Sequence, residues 1–168
     1  MPDPYIITTE RLGLRELRAG DGCFLLELNA HPDVLRFTGD APFEDEEAAE
    51  NFISNYDAYH RTGMGRWVIE LLETKQPVGW AGIKMHQEDN QYDLGYRILH
   101  QFWNKGIATE AGIGCLKWGE SNGITSVISC VHLENTRSIR VSEKLGFRSV
   151  YERYYGDTAW LIFERPTT

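Results

Sequence analysis

Cysteine is scarce in this chain of 168 residues: Cys23, Cys115 and Cys130 are odd in number and show no CxxC spacing. They support neither a disulfide framework nor a zinc ribbon, and they fit a reduced, cytoplasmic home. Long apolar runs are missing as well. None approaches the ~20 residues of a membrane helix, and acid stands near the start where a signal peptide needs base, so a soluble protein without a membrane partner is expected. Positive charge is short: 17 Lys+Arg face 25 Asp+Glu, a net charge of −8. That balance argues against nucleic acid as a partner, because phosphate backbones are held chiefly by Lys and Arg. It leaves room for a local basic pocket and gives cationic molecules a weak, salt-sensitive advantage. The histidines form no HExxH or other tight spacing, so no metal is expected. There is no GxxxxGK[ST], and no GxGxxG after an early strand, which removes the P-loop and Rossmann readings.

What remains is a globular composition, 42% hydrophobic and 25% charged. The length suits one domain over residues 1–168, burying roughly 70% of its unfolded surface. The pattern predicts a strand over 5–17, then a helix from Asp21 to His31-Pro32, where proline sets a boundary. Residues 33–43 read as irregular, and a second helix runs from Glu44 to His60. Three strands follow, Trp67–Glu73, Val78–His86 and Tyr92–Leu99, separated by turn-like segments. A loop at His100–Lys105 enters a helix from Gly106 to Glu120, with a small-residue face of Ala108, Ala111, Gly112 and Cys115. Residues 124–132 are apolar on both faces, as in a buried central strand. A helix over 136–145 is capped by Asn135 and closed by Gly146-Phe147. Strands near Ser149–Tyr154 and Thr158–Phe163 end the pattern. This is a mixed α+β domain.

The segment richest in chemistry is Gly95-Tyr96-Arg97-Ile98-Leu99, a loop, and Trp103-Asn104-Lys105-Gly106-Ile107-Ala108-Thr109-Glu110-Ala111. A strand, a turn and a helix N-terminus leave several N–H groups unpaired with a partial positive charge, a natural seat for phosphate. Gly106 lets a ligand approach the backbone, and Lys105 adds a mobile charge. By itself the window also reads as an ordinary turn before a packed helix.

Two further segments accompany it: Thr9-Glu10-Arg11-Leu12-Gly13-Leu14-Arg15, and Asn135-Thr136-Arg137-Ser138 through Ser142-Glu143-Lys144-Leu145-Gly146-Phe147. In this order the three resemble the GNAT superfamily of acyl-CoA-dependent N-acetyltransferases. Within it they resemble the RimJ/RimL-type branch, with its "ERLxLR", "GY", "WxKGxAxEA" and "NxxSxxxxxKxGF" patterns. The resemblance covers almost the whole chain. It implies a central mixed, mostly antiparallel sheet, splayed between two strands and flanked by helices. It also implies an acetyl-CoA pyrophosphate on the turn Trp103–Ala108, with the Thr109 hydroxyl added. The pantetheine arm would lie against Ile98 and Leu99, in a gap beside the 124–132 strand, with Asn135 contacting it. The implied donor-binding set is Ile98, Leu99, His100, Trp103, Asn104, Lys105, Gly106, Ile107, Ala108, Thr109, Asn135 and Lys144. Trp103 departs from the Gln/Arg that starts many GNAT phosphate turns, which leaves binding by backbone amides intact.

The implied reaction is direct acetyl transfer, in a ternary complex, to a primary amine: a protein N-terminus or a small-molecule amine. A lysine amine titrates near ~10.4 and an α-amine near ~7.7–8.0, so a base matters more for the former. A free N–H near Ile98–Leu99 is the oxyanion donor the resemblance implies. Where many GNAT enzymes carry a general-acid tyrosine this chain has Ser142, and the branch instead carries a serine at Ser138, one turn earlier. Ser138 is the first candidate acid and Ser142 the second, and either also reads as a plain helix serine. Asp93 and Glu70 are the candidate bases, whose pKa burial would raise; His86, His100 and His132 are alternatives. Cys130 reads as a small buried core residue more than as a nucleophile. The acids Glu44 to Glu47 suit a helix first turn and also the acceptor side. The acceptor-facing loops, 33–43, 60–66 and 154–158, carry no readable code. A catalytically silent acyl-CoA sensor on the same scaffold is the alternative. Tyr151, Tyr154, Tyr155 and Trp160 supply either core or a homodimer interface.

Overall fold

The computed structural model describes residues 4–166. Within them, β1 (Ile7–Thr8) and β2 (Leu12–Arg15) lead to helices α1 (Gly22–Leu28), α2 (Pro32–Leu35), α3 (Glu46–Ser54) and α4 (Ala58–Thr62). Strands β3 (Trp67–Leu71), β4 (Pro77–His86) and β5 (Gln91–Ile98) follow, then a 3-10 turn at His100–Phe102 and α5 (Ile107–Ser121). The chain continues through β6 (Ser126–His132), α6 (Thr136–Lys144), β7 (Arg148–Tyr155) and β8 (Thr158–Pro166). All strands join one sheet in the order β1-β2-β3-β4-β5-β6-β8-β7, antiparallel throughout except where β5 meets β6. The mixed, mostly antiparallel architecture is as expected.

Strand alternation divides the apolar residues between two faces. Ala81, Ile83, Leu94 and Ile98 point to one side, into the core that holds Ile107, Ala111 and Cys115 of α5. Val68 and Leu99 point to the other, against Phe24, Leu25 and Leu28 of α1 and Ala49 and Ile53 of α3. The sheet is thus covered on both faces, and the fully buried Ile83 and Leu25 are positions where truncation to Ala costs about 2–5 kcal/mol.

Three local readings need correction. The strand over 5–17 is a hairpin: the Thr9 hydroxyl accepts from the Leu12 amide at 3.1 Å while the Thr9 amide donates to the Leu12 carbonyl at 2.8 Å, turning the chain between β1 and β2. The helix over 44–60 breaks at Asn55–Asp57, which frees two tyrosines for backbone contacts. Tyr56 accepts the Arg66 amide at 2.9 Å and Tyr59 the Leu17 amide at 3.0 Å. The irregular 33–43 segment overlaps α2, which Pro32 starts at its first helical position with His31 as cap. The close of α6 follows expectation. Gly146, at φ +89, donates to Glu143 and Phe147 to Ser142, the paired bonds of a Schellman motif.

Candidate active site

The parting of the sheet is set by one pairing. β5 and β6 run parallel with only Asp93 and Ile128 in register, so beyond Asp93 the strands diverge toward their C-terminal ends. Hydrogen-bond alternation decides which groups face the opening. The Leu99 amide donates to the Val78 carbonyl at 2.8 Å, which places Arg97 and Gly95 on the β4 side and turns Tyr96 and Ile98 toward β6. Of the pair expected to offer a free amide, Leu99 is therefore engaged and Ile98 faces the opening. The Ile98 carbonyl accepts the Trp103 indole at 2.9 Å, which ties the strand end to the turn beyond it.

That turn leaves a row of main-chain amides exposed. Asn104 and Gly106 are left-handed, at φ +62 and +75, and glycine suits the second because an added Cβ would meet only Arg11, at 3.5 Å. None of the six amides from Asn104 to Thr109 donates within the described residues; the first helical bond of α5 is Glu110 to Gly106, at 3.0 Å. Arg11 fixes the turn, with Nε on Glu110 at 2.9 Å and Nη1 on the Lys105 carbonyl at 3.0 Å. Arg137 donates to Asn104 Oδ1 at 2.8 Å and lies over the Trp103 ring at 4.7 Å. It brings the N-terminus of α6 beside that of α5, so two positive helix ends and a fixed guanidinium converge. Asn135 caps α6 by accepting the Ser138 amide at 3.2 Å, which leaves its own amide N–H groups for a ligand.

Two members of the expected donor set are not brought to this turn. Lys144 is exposed in the last turn of α6, about 13–14 Å along the helix from Asn135. The next residue, Leu145, packs where a Gly112 Cβ would stand, well down α5. His100 touches Trp103 but stacks chiefly on His31, centroids 3.9 Å apart and planes 6° from parallel. With Asp33 these histidines put three possible ligand atoms within 4.8 Å, a grouping hidden in the sequence. Their parallel rings aim their in-plane lone pairs side by side, a poor match to one ion.

Ser138 stands at the start of α6, and its Oγ accepts the Tyr96 hydroxyl at 3.0 Å, joining α6 to β5 across the opening. Burial pushes the Tyr96 pKa up to about 12, with the Ser138 hydrogen bond opposing. Tyr96 was visible only as half of the "GY" pair, and its contact with a residue 42 positions away had no local signal. Ser142 is buried, and its Oγ has no partner among the described residues.

Neither candidate base stands free. Asp93 accepts Arg66 at 2.7 Å and pairs with His86. Burial acts to raise its pKa, but Arg66 and His86 overcome that and hold it well below the usual carboxylate range, opposite to expectation. Glu70 is buried two strands away, accepting Arg15 at 2.7 Å and the Tyr5 hydroxyl at 2.8 Å. His132 accepts the Glu134 amide through Nδ1 at 3.0 Å and packs against Phe37 and Trp160. Cys130 is exposed, not buried in the core, and partial desolvation with the Asp93 charge raises its pKa, which disfavours a thiolate. Cys115 is the buried cysteine of the core.

The fold, the parted strands and the amide-lined turn define an acyltransferase of the acetyl-CoA type. Residues 11–148 match the acetyltransferase (GNAT) domain, and the chain belongs to that family. It is 30% identical over 143 residues to p20 of Bacillus licheniformis, an uncharacterized N-acetyltransferase, covering 83% of this chain and 80% of that protein. A GNAT-family acetyltransferase from Bacillus anthracis superposes with TM-score 0.83 at 24% identity, covering 96% of this chain and 98% of that one. Spermidine N-acetyltransferase from Vibrio cholerae, solved with CoA and spermine, superposes with TM-score 0.79 at 17% identity, covering 95% and 97%. At those identities the two structures speak for the fold.

Proposed function

We propose that this chain is one N-acetyltransferase domain, of the RimJ/RimL-type branch, that transfers acetyl from acetyl-CoA directly to a primary amine. The observation that carries this is the row of unpaired amides at α5, at the mouth of the parted strands, with the Tyr96–Ser138 hydrogen bond farther in. Residues 104–109 and Arg137 would hold the diphosphate, and the strand edge at Ile98 with Asn135 the pantetheine arm. Acetyl-CoA supplies an activated thioester. Ile98 offers its amide to the carbonyl oxygen. Ser138, held by Tyr96, offers a hydroxyl where the sulfur departs, along the route by which the proton lost from the amine reaches that sulfur.

With Asp93 and Glu70 both paired, neither is free to act as the base, and the amine proton leaves through water. The unpaired cysteines suit a reducing, cytoplasmic setting, and no helix among the described residues is long and apolar enough to cross a membrane. Thiol release from acetyl-CoA over a panel of amines and peptides tests the reading. Ser138→Ala is expected to lower kcat about 100-fold with CoA affinity unchanged. Full turnover in that variant would remove Ser138 from the chemistry. CoA binding without thiol release on any acceptor would favour a sensor.

A further inference from the structure

On the sheet face away from α5, where an acceptor would meet the thioester, the stretch of β4 and β5 beside the parting carries more cations than carboxylates. Its floor is Gly82 and Gly95, directly paired between β4 and β5. The Arg66 guanidinium lies across them: a Gly95 Cβ would stand 2.4 Å from its Nη2, and Nη1 donates to the Gly82 carbonyl at 2.7 Å. At the closed end of the parting, Lys84 stands directly opposite Asp93. At the open end, Arg97 lies over Trp80 and donates to Asp40 at 2.7 Å and to Asn29. Asp40 follows Phe37, whose ring rests on His132 of β6, so the 37–40 segment reaches over the opening from both sides.

Three cations, Arg66, Lys84 and Arg97, therefore meet two carboxylates, Asp93 and Asp40. Each carboxylate is claimed by an arginine, and His86 also sits on Asp93. The Lys84 side chain has no hydrogen bond or ion pair among the described residues, though it is partly buried. Burial, then Arg66 and Arg97, lower its pKa from the ordinary lysine value, and Asp93 and Asp40 oppose that. An unpaired, partly desolvated ammonium attracts an anion. A polyamine there would face uncompensated like charge.

We propose that the acceptor is an amino-acid-like molecule, carrying a carboxylate beside its amine, and that Lys84 receives this carboxylate on the sheet face it shares with Arg66. The proposal rests on the N-acetyltransferase reading and names the substrate class of that site. Calorimetric titration of the CoA-loaded protein with glycine, methionine and phenylalanine, with their α-amides, and with spermidine tests it without requiring turnover. At least one acid is expected to bind about tenfold tighter than its amide. K84M should bring that acid to the level of the amide, K84R should keep the preference, and K84E should reverse it. CoA titration of each variant reports that the fold is intact. Equal binding of acids and amides, unchanged acid affinity in K84M, binding of no acid, or tighter binding of spermidine than of every acid would overturn the proposal. Thiol release is read separately: selective binding of acids without turnover would support the Lys84 assignment and count against the transferase reading alone.

Discussion

Two arginine–carboxylate clusters lie on the same face of the sheet, and they differ in how fully they are closed. Around Arg15, every partner is present: Nε on Glu70 at 2.7 Å, both terminal nitrogens on Asp21 at 2.9 Å, and a further bond to the Glu16 carbonyl. Its side chain is 5% exposed. Burial works against its charge, but Asp21 and Glu70 more than compensate, and its pKa is raised. Around Arg66 the pairing is tight with Asp93 but the edge is open, with Lys84 unpartnered and His86 half-exposed. Identical chemical groups thus serve two ends. A completed cluster locks β2 and β3 to the start of α1, whereas an incomplete one beside the strand opening is poised for a charged visitor.

The contrast can be broken from either side. The largest effect is expected at the closed cluster: Arg15→Met leaves Asp21 and Glu70 buried without their cation and should cost about 3–5 kcal/mol, read by urea unfolding. Arg66→Met should cost less, about 1–2 kcal/mol, because Lys84 lies opposite Asp93 and is able to take the arginine's place. Equal losses at the two sites would erase the distinction between them. The smallest effect is one of pH. The Asp93 pKa is depressed in the fold, so its contribution is present above the unfolded carboxylate value near ~3.9 and drains away as pH falls below it. The Tm gap between wild type and Asp93→Asn should be fullest near about pH 5 to 6, shrink toward about pH 8 as His86, its pKa raised by Asp93, loses its proton, and narrow below about pH 4. A gap unchanged down to pH 2 would show that the charge of Asp93 contributes nothing.

What was legible in the sequence follows from range. The long helices α5 and α6 and most strand positions announce themselves through periodicity and through glycine and asparagine at helix ends, all local signals. The turn before α5 was legible for the same reason, since its shape depends on backbone groups between Trp103 and Thr109. The turn at Thr9–Arg11 was not, because apolar residues alternate on both sides of it and the deciding hydrogen bond belongs to one threonine. The break after α3 was hidden because Tyr56 and Tyr59 fit a helical stripe, while their hydroxyls are claimed by Arg66 and Leu17. In the site, the charge state of Asp93 depends on Arg66, 27 residues earlier, and Ser138 depends on Tyr96, 42 residues earlier. A carboxylate expected to be raised by burial and one lowered by an arginine look the same in a sequence.

The grip of main-chain amides on a diphosphate is the claim on which the assignment stands. Calorimetry comparing coenzyme A with pantetheine, which lacks the diphosphate and nucleotide, tests it directly. The structure predicts that coenzyme A binds and that pantetheine binds at least a hundredfold more weakly, a loss of about 2.7 kcal/mol or more. Equal affinities, or no heat with coenzyme A at millimolar concentration, would contradict it.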